Sequence, residues 1–140
     1  MQVEPYLMFN GRCEEAINFY TKAINAEVVY MMRFKDSPDP QPPGMLPPGS
    51  ENKIMHMNFR VGDSSIMASD GQCNGTASFQ GFSLTISVKD AGQAEKIFAA
   101  LGEGGQIQMP LGKTFFSPMF GMVADRFGVS WMVIVPGDMK

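Results

Sequence analysis

The residue pattern spells out the element order β-α-β-β-β and then spells it out a second time. Such a repeat leaves few architectures open. Each copy holds one amphipathic helix and strands with one apolar side, and those sides need the helix as cover. Gln2 to Phe9 reads as the first strand, with Leu7 and Phe9 on one face and Tyr6 and Met8 on the other. Beyond Asn10-Gly11, apolar residues at Cys13, Ala16, Ile17, Tyr20 and Ile24 form a helical stripe. Glu14 and Glu15 sit in its first turn, where negative charge suits the helix dipole, and Asn25 is its stop. Glu27 to Lys35 is a strand rich in β-branched and aromatic residues. In the second copy, Gly81 to Val88 alternates strictly, with Phe82, Leu84, Ile86 and Val88 facing a core. Asp90 with Gln93 caps a helix through Ala94, Ile97, Phe98 and Leu101, closed by Gly102. Gln106 to Leu111, Phe115 to Ala124 and Val129 to Val135 supply the remaining strands, with Trp131 expected beneath the helix. The pattern predicts an α+β chain, with modules at about residues 1–70 and 81–137 and sheets of antiparallel type.

The stretch from Lys53 to Asp70 reads as a hairpin turning at Gly62-Asp63. Met55, Met57, Phe59 and Val61 share one face, while Ile54, His56, Asn58 and Arg60 share the other. With the apolar face on a helix, the opposite face carries the only histidine of the chain beside an amide and a guanidinium, about 6–7 Å apart along the strand. That column faces either water or an enclosed cavity. In a cavity, Arg60 would hold an anionic group bidentately, and His56 would exchange a proton near neutral pH. Ser83, Thr85 and Ser87 would offer hydroxyls there, keep space free, or hydrogen-bond across strands. Asp70 and Asp125 end strands, where carboxylates commonly take local backbone N–H groups.

The chain from Asp36 to Ser50 holds six of the ten prolines, so neither helix nor ladder persists there. It is a lid or a solvated loop, and the adjacent apolar pair Met45-Leu46 is the hint for a lid. A net charge of −3 provides no basic field for nucleic acid or an anionic membrane surface. No apolar run reaches the roughly 20 residues of a membrane helix. The N-terminus lacks the pattern of a secretory signal, so the expected location is the cytoplasm, with Cys13 and Cys73 as free thiols. Thirteen methionines suit an adaptable apolar pocket as well as plain core filling.

Pro5-Tyr6-Leu7-Met8-Phe9-Asn10-Gly11-Arg12-Cys13-Glu14-Glu15-Ala16, Phe19-Tyr20, His56, Val61-Gly62-Asp63, Met67-Ala68-Ser69-Asp70 and Asp125-Arg126-Phe127-Gly128-Val129 with Trp131 resemble the vicinal oxygen chelate superfamily. Within it they are similar to the PhnB-like (YjdN-type) branch, sometimes labelled demethylubiquinone methyltransferase-like. The likeness spans nearly the whole chain. It implies tandem βαβββ modules of the glyoxalase/bleomycin resistance/dihydroxybiphenyl dioxygenase-like fold, and a homodimer. It names no reaction, and the chain has no Gly-rich loop for a nucleotide. The superfamily's metal ligands fall by position near Tyr6, near Met67 or Ser69, at Ser83 and at Met132. None of these is a histidine or a carboxylate, so the usual metal centre is not expected.

Three functional readings follow. In the first, the protein binds a small, partly apolar organic molecule without a metal. His56, Asn58 and Arg60 are polar anchors, His56 is the one catalytic candidate, and Met8, Met67, Ser69, Ser83, Thr85, Phe116, Phe120 and Met132 line the site. In the second, it is a glyoxalase- or dioxygenase-type enzyme whose divalent metal is held by His56 with Asp70 or Glu51. In the third, it is a structural dimer without ligand, the hollow filled by Met8, Met67 and Met132.

Overall fold

Eight strands and two α-helices follow the doubled order in the computed structural model, which describes residues 1–38, 47–71, 73 and 76–137. The chain divides into two compact units, Met1–Ala77 and Ser78–Lys140. Met45 and Leu46, on which the lid expectation rests, lie outside the described residues.

The first unit contains β1 (Tyr6–Met8), α1 (Cys13–Ile24), β2 (Glu27–Arg33), β3 (Ile54–Val61) and β4 (Ser64–Ser69). Its strands lie side by side in the order β1-β4-β3-β2. The sheet is mixed rather than antiparallel, because β1 runs parallel to β4. The reason is topological: β1 leads into β2 through a helix, and such a crossover returns the chain in its original direction. Strand β1 is shorter than Gln2–Phe9. Pro5 has no N–H to give a ladder, although its carbonyl still accepts from the Met67 N–H. Leu7, Phe9, Ala16, Ile17, Tyr20, Met57, Phe59 and Ala68 form the core, and the Tyr20 and Phe59 rings stack 6.0 Å apart. Each large side chain buried there contributes about 1.5–3 kcal/mol. Helix α1 stops where Asn25 enters the left-handed conformation, φ +57°.

Two bulges change the faces expected from strict alternation. On β3, His56 pairs with Met32 and Ile54 with Arg33, leaving Met55 as an extra residue. A bulge reverses parity beyond it, so Ile54 turns into the core, fully buried, instead of sharing the face of His56. On β2 the extra residue is Val29.

The second unit contains β5 (Leu84–Ser87), α2 (Ala91–Gly102), β6 (Gln106–Gly112), β7 (Met119–Ala124) and β8 (Ser130–Val135), in the order β5-β8-β7-β6. Strand β5 is likewise parallel to its neighbour, β8. It is shorter than Gly81–Val88, and Phe82, expected in the core, is exposed. Asp90 Oδ1 accepts the Gln93 N–H at 2.8 Å, while Gln93 Oε1 accepts the Lys89 N–H at 3.1 Å, a reciprocal cap displaced by one residue. Trp131, Val133 and Val123 are buried together with Ala94, Phe98 and Leu101 of α2. Among the described residues, no helix is long and apolar enough to cross a membrane.

Candidate functional site

The side of the first sheet away from its core residues carries the chemistry. The registers place Tyr6, Met67, Asn58 and Tyr30 in one row across all four strands, β1 to β4 to β3 to β2. Two residues along β3 lies His56, paired with Met32, and Met8 pairs with Ser69. Tyr6 and His56 are separated by β4 and offset by two residues, so their Cα atoms stand about 12 Å apart. The phenol bridges that gap, and its oxygen lies 3.1 Å from Nδ1 of His56. The ring centroids are 5.6 Å apart, and Tyr30 approaches His56 from the other side at 6.3 Å. Tyr30 directs its hydroxyl at the Met32 sulfur, 3.7 Å away. Tyr6, Met8 and Tyr30 are each about half exposed, whereas Ser69 is buried and its Oγ accepts the Gly71 N–H. The result is a histidine held between two phenols on a surface of thioethers.

Asn58 has a different situation. Its Oδ1 is buried and, among the described residues, accepts no hydrogen bond. Arg60, at the far end of the column, pairs with Glu27 at 3.6 Å across the strands, and both side chains are largely exposed.

The corresponding row of the second sheet reads Thr85, Met132, Met122 and Met109, three thioethers and a hydroxyl. Ser83 meets Ser130, oxygen to oxygen at 2.8 Å, and Ser130 donates to Gln108 Oε1 at 3.1 Å. A serine has a single hydroxyl proton, so Ser83 donates to Ser130 and the relay runs one way. Phe116 and Phe120 pack edge to face, with centroids 5.1 Å apart. The named residues therefore form two groups, Met8, His56, Asn58, Arg60, Met67 and Ser69 in the first unit and Ser83, Thr85, Phe116, Phe120 and Met132 in the second.

Asp70 and Asp125 are both buried. Asp125 behaves as a turn carboxylate, taking the N–H groups of Phe127 and Val129 on Oδ1, and it also takes the Trp131 indole N–H on Oδ2. Asp70 works at long range. Its Oδ1 accepts from Gly11 and Cys13 and its Oδ2 from Ile54, all at 2.8 Å. Helix α1 has no capping side chain at Arg12, and Asp70, just past the end of β4, supplies that cap. Both Asp70 oxygens are occupied by backbone, which argues against it as a metal ligand. Among the described residues, no three His, Cys, Asp or Glu side chains gather as a metal group. Tyr6, Met67, Ser69, Ser83 and Met132 at the superfamily's ligand positions do not fit a hard or borderline divalent ion. Cys13 and Cys73 are free thiols. Burial, followed by the charges of Asp70 and Glu14, pushes the Cys13 thiol far up, and burial also raises that of Cys73.

The chain matches a known family. The family model described as 3-demethylubiquinone-9 3-methyltransferase matches residues 1–134. The chain belongs to that family. Protein YjdN of Escherichia coli is 37% identical over 142 residues, covering 96% of this chain and 95% of that protein. Among solved structures, protein PA1353 of Pseudomonas aeruginosa is 41% identical with a TM-score of 0.83, covering 99% of both chains. The PhnB protein of Bacillus cereus is 30% identical with a TM-score of 0.78, covering 96% of this chain and 99% of that one. A glyoxylase/bleomycin resistance protein/dioxygenase domain from Frankia, 12% identical with a TM-score of 0.68 over 97% of this chain and 95% of that one, shares the fold alone. The family thus fixes the architecture.

Tyr6 enters the site although its residue type alone did not mark it as more than a position on β1. Tyr30 and Met32 were also missed as site residues. The bulge at Val29 sets their parity, and no local signal reports that.

Proposed function

We propose that this family member binds a small, partly apolar organic molecule against the outer face of its first sheet. The observation that carries it is the Tyr6–His56 hydrogen bond, set beside Tyr30, Met32 and Met67 on a half-exposed surface. An exposed apolar patch around a few oriented polar groups is the common make-up of a ligand site. The phenols and thioethers offer contact area, and His56 supplies direction. His56 and Asn58 serve as anchors, with Arg60 at the open end. The methyltransferase in the family's description has no counterpart in a nucleotide-binding loop of this chain.

The test is a fragment titration followed by ¹⁵N NMR of the full chain, wild type against His56→Ala. Ring-bearing fragments are expected to shift the amides of β1 and β3 and to lose at least tenfold in affinity in the variant. Shifts confined to other strands, or equal affinities in the two proteins, would overturn the assignment.

A further inference from the structure

We infer that the same face holds a soft monovalent metal ion, copper(I), between Nε2 of His56 and the thioether sulfurs of Met32 and Met67. The inference goes beyond the organic-ligand reading and does not depend on it. The registers bring the three side chains together. Met32 lies directly opposite His56 on β2. On β4, Met67 pairs with Asn58, two residues along the same face, and so is a diagonal neighbour of His56. Direct cross-strand neighbours have Cβ atoms about 4.5–5.5 Å apart, and diagonal ones lie within about 8 Å. A methionine side chain is unbranched and turns about three bonds, so one sulfur from each flank can close on an ion at the ring. All three residues are partly exposed, which leaves the ion a way in. Tyr6 occupies Nδ1 at 3.1 Å, leaving Nε2 for the ion. A phenol oxygen can give a proton to Nδ1 or take one from it, so a ring with Nδ1–H and a bare Nε2 keeps that contact. Such an outer partner is what orients a metal-bound imidazole.

The donor set selects the ion. Thioethers favour soft ions, and imidazole suits copper, zinc, iron and nickel; copper(I) alone satisfies both. The Tyr30 hydroxyl approaches the Met32 sulfur at 3.7 Å, which puts that sulfur on the outer face, and its second lone pair remains for the ion. None of the three ligands carries a charge, so a monovalent ion costs less to hold there than a divalent one. Neither His56 nor Met32 stands at a position where the superfamily carries its metal ligands. The second sheet offers an internal comparison: its row Met132, Met122 and Met109 has the sulfurs without an imidazole, since His56 is the only histidine of the chain.

The probe is copper(I), added as its acetonitrile complex under nitrogen to the full chain carrying Cys73→Ser, which removes the partly exposed thiol. Binding is followed through ¹³C-labelled methionine methyl groups. Below one equivalent, the methyls of Met32 and Met67 are expected to shift ahead of those of Met109, Met122 and Met132. His56→Ala and Met32→Leu should each weaken binding at least tenfold against a competing chelator. Met32→Leu nearly conserves volume on a partly exposed face, so it reports on the sulfur rather than on folding. Zinc(II) should leave the Met32 and Met67 methyls in place. Shifts that begin in the second sheet, no shift below one equivalent, equal affinity in His56→Ala, or zinc(II) matching copper(I) would each overturn the site. The ring-bearing fragments are judged separately, by the amides of β1 and β3, so either reading can fail without the other.

Discussion

The indole nitrogen of Trp131 donates to Oδ2 of Asp125 at 2.8 Å, with both residues buried in the second unit. The other carboxylate oxygen takes two backbone N–H groups of the turn that leads into β8. One side chain thus shapes the turn and orients the single tryptophan beneath α2. Asp125→Ala would strand three buried donors, each costing about 1–3 kcal/mol if left without a partner. The expected loss is at least about 2 kcal/mol in urea unfolding, with a change in native tryptophan emission. An unchanged unfolding midpoint would show that the turn holds without the carboxylate.

Asp70 plays the equivalent part in the first unit, joining the start of α1 to β3. Asp70→Ala should cost about 2 kcal/mol and loosen the first turn of the helix. Cys13 reports on that turn. It is buried and its thiol is held protonated, so a disulfide reagent at pH 8 should leave it unmodified in the wild type. In Asp70→Ala it should react at least tenfold faster, and an unaltered rate would sink the proposed capping role.

Glu14 on α1 meets Arg33 of β2 in a two-pronged pair, at 2.6 and 3.1 Å. The Arg33 hydrogen bond, more than its charge alone, lowers the Glu14 pKa. A carboxyl with a depressed folded-state pKa adds stability above its unfolded value, and that stability disappears as pH falls through the folded one. Glu14 is about half exposed, so solvent screening limits the pair to about 0.5–1 kcal/mol. The wild type should exceed Glu14→Gln by that margin at pH 7. The two should converge as pH falls through the lowered Glu14 pKa, and 1 M salt should narrow the gap at neutral pH. A margin that persisted in acid would count against the ion pair.

Gly121 on β7 lies beneath α2. A Cβ there would stand 2.8 Å from Phe98 and 2.9 Å from the end of Leu111, with the Leu111 backbone at 3.1 Å. Gly121→Ala should therefore destabilise by about 1–3 kcal/mol through overpacking. Adding Phe98→Leu should recover part of the loss. Additive effects of the two changes would mean that helix and strand do not meet there as described.

The amphipathic stripe of α1, the Asp90 cap of α2 and the doubled element order were all legible along the chain, because each is written at spacings of two to four residues. Family membership was legible for the same reason, its motifs being short and ordered. The face carrying His56 and Asn58 followed from alternation, but Ile54 did not, since a bulge reverses parity without any local mark. What only the tertiary structure decided were the pairings made over long separations: Tyr6 with His56 across β4, Asp70 with Gly11 and Cys13, and Arg60 with Glu27. These depend on which strand neighbours which. The parallel placement of β1 against β4 is set by how a whole module closes around its helix, and local residue preference carries no record of that.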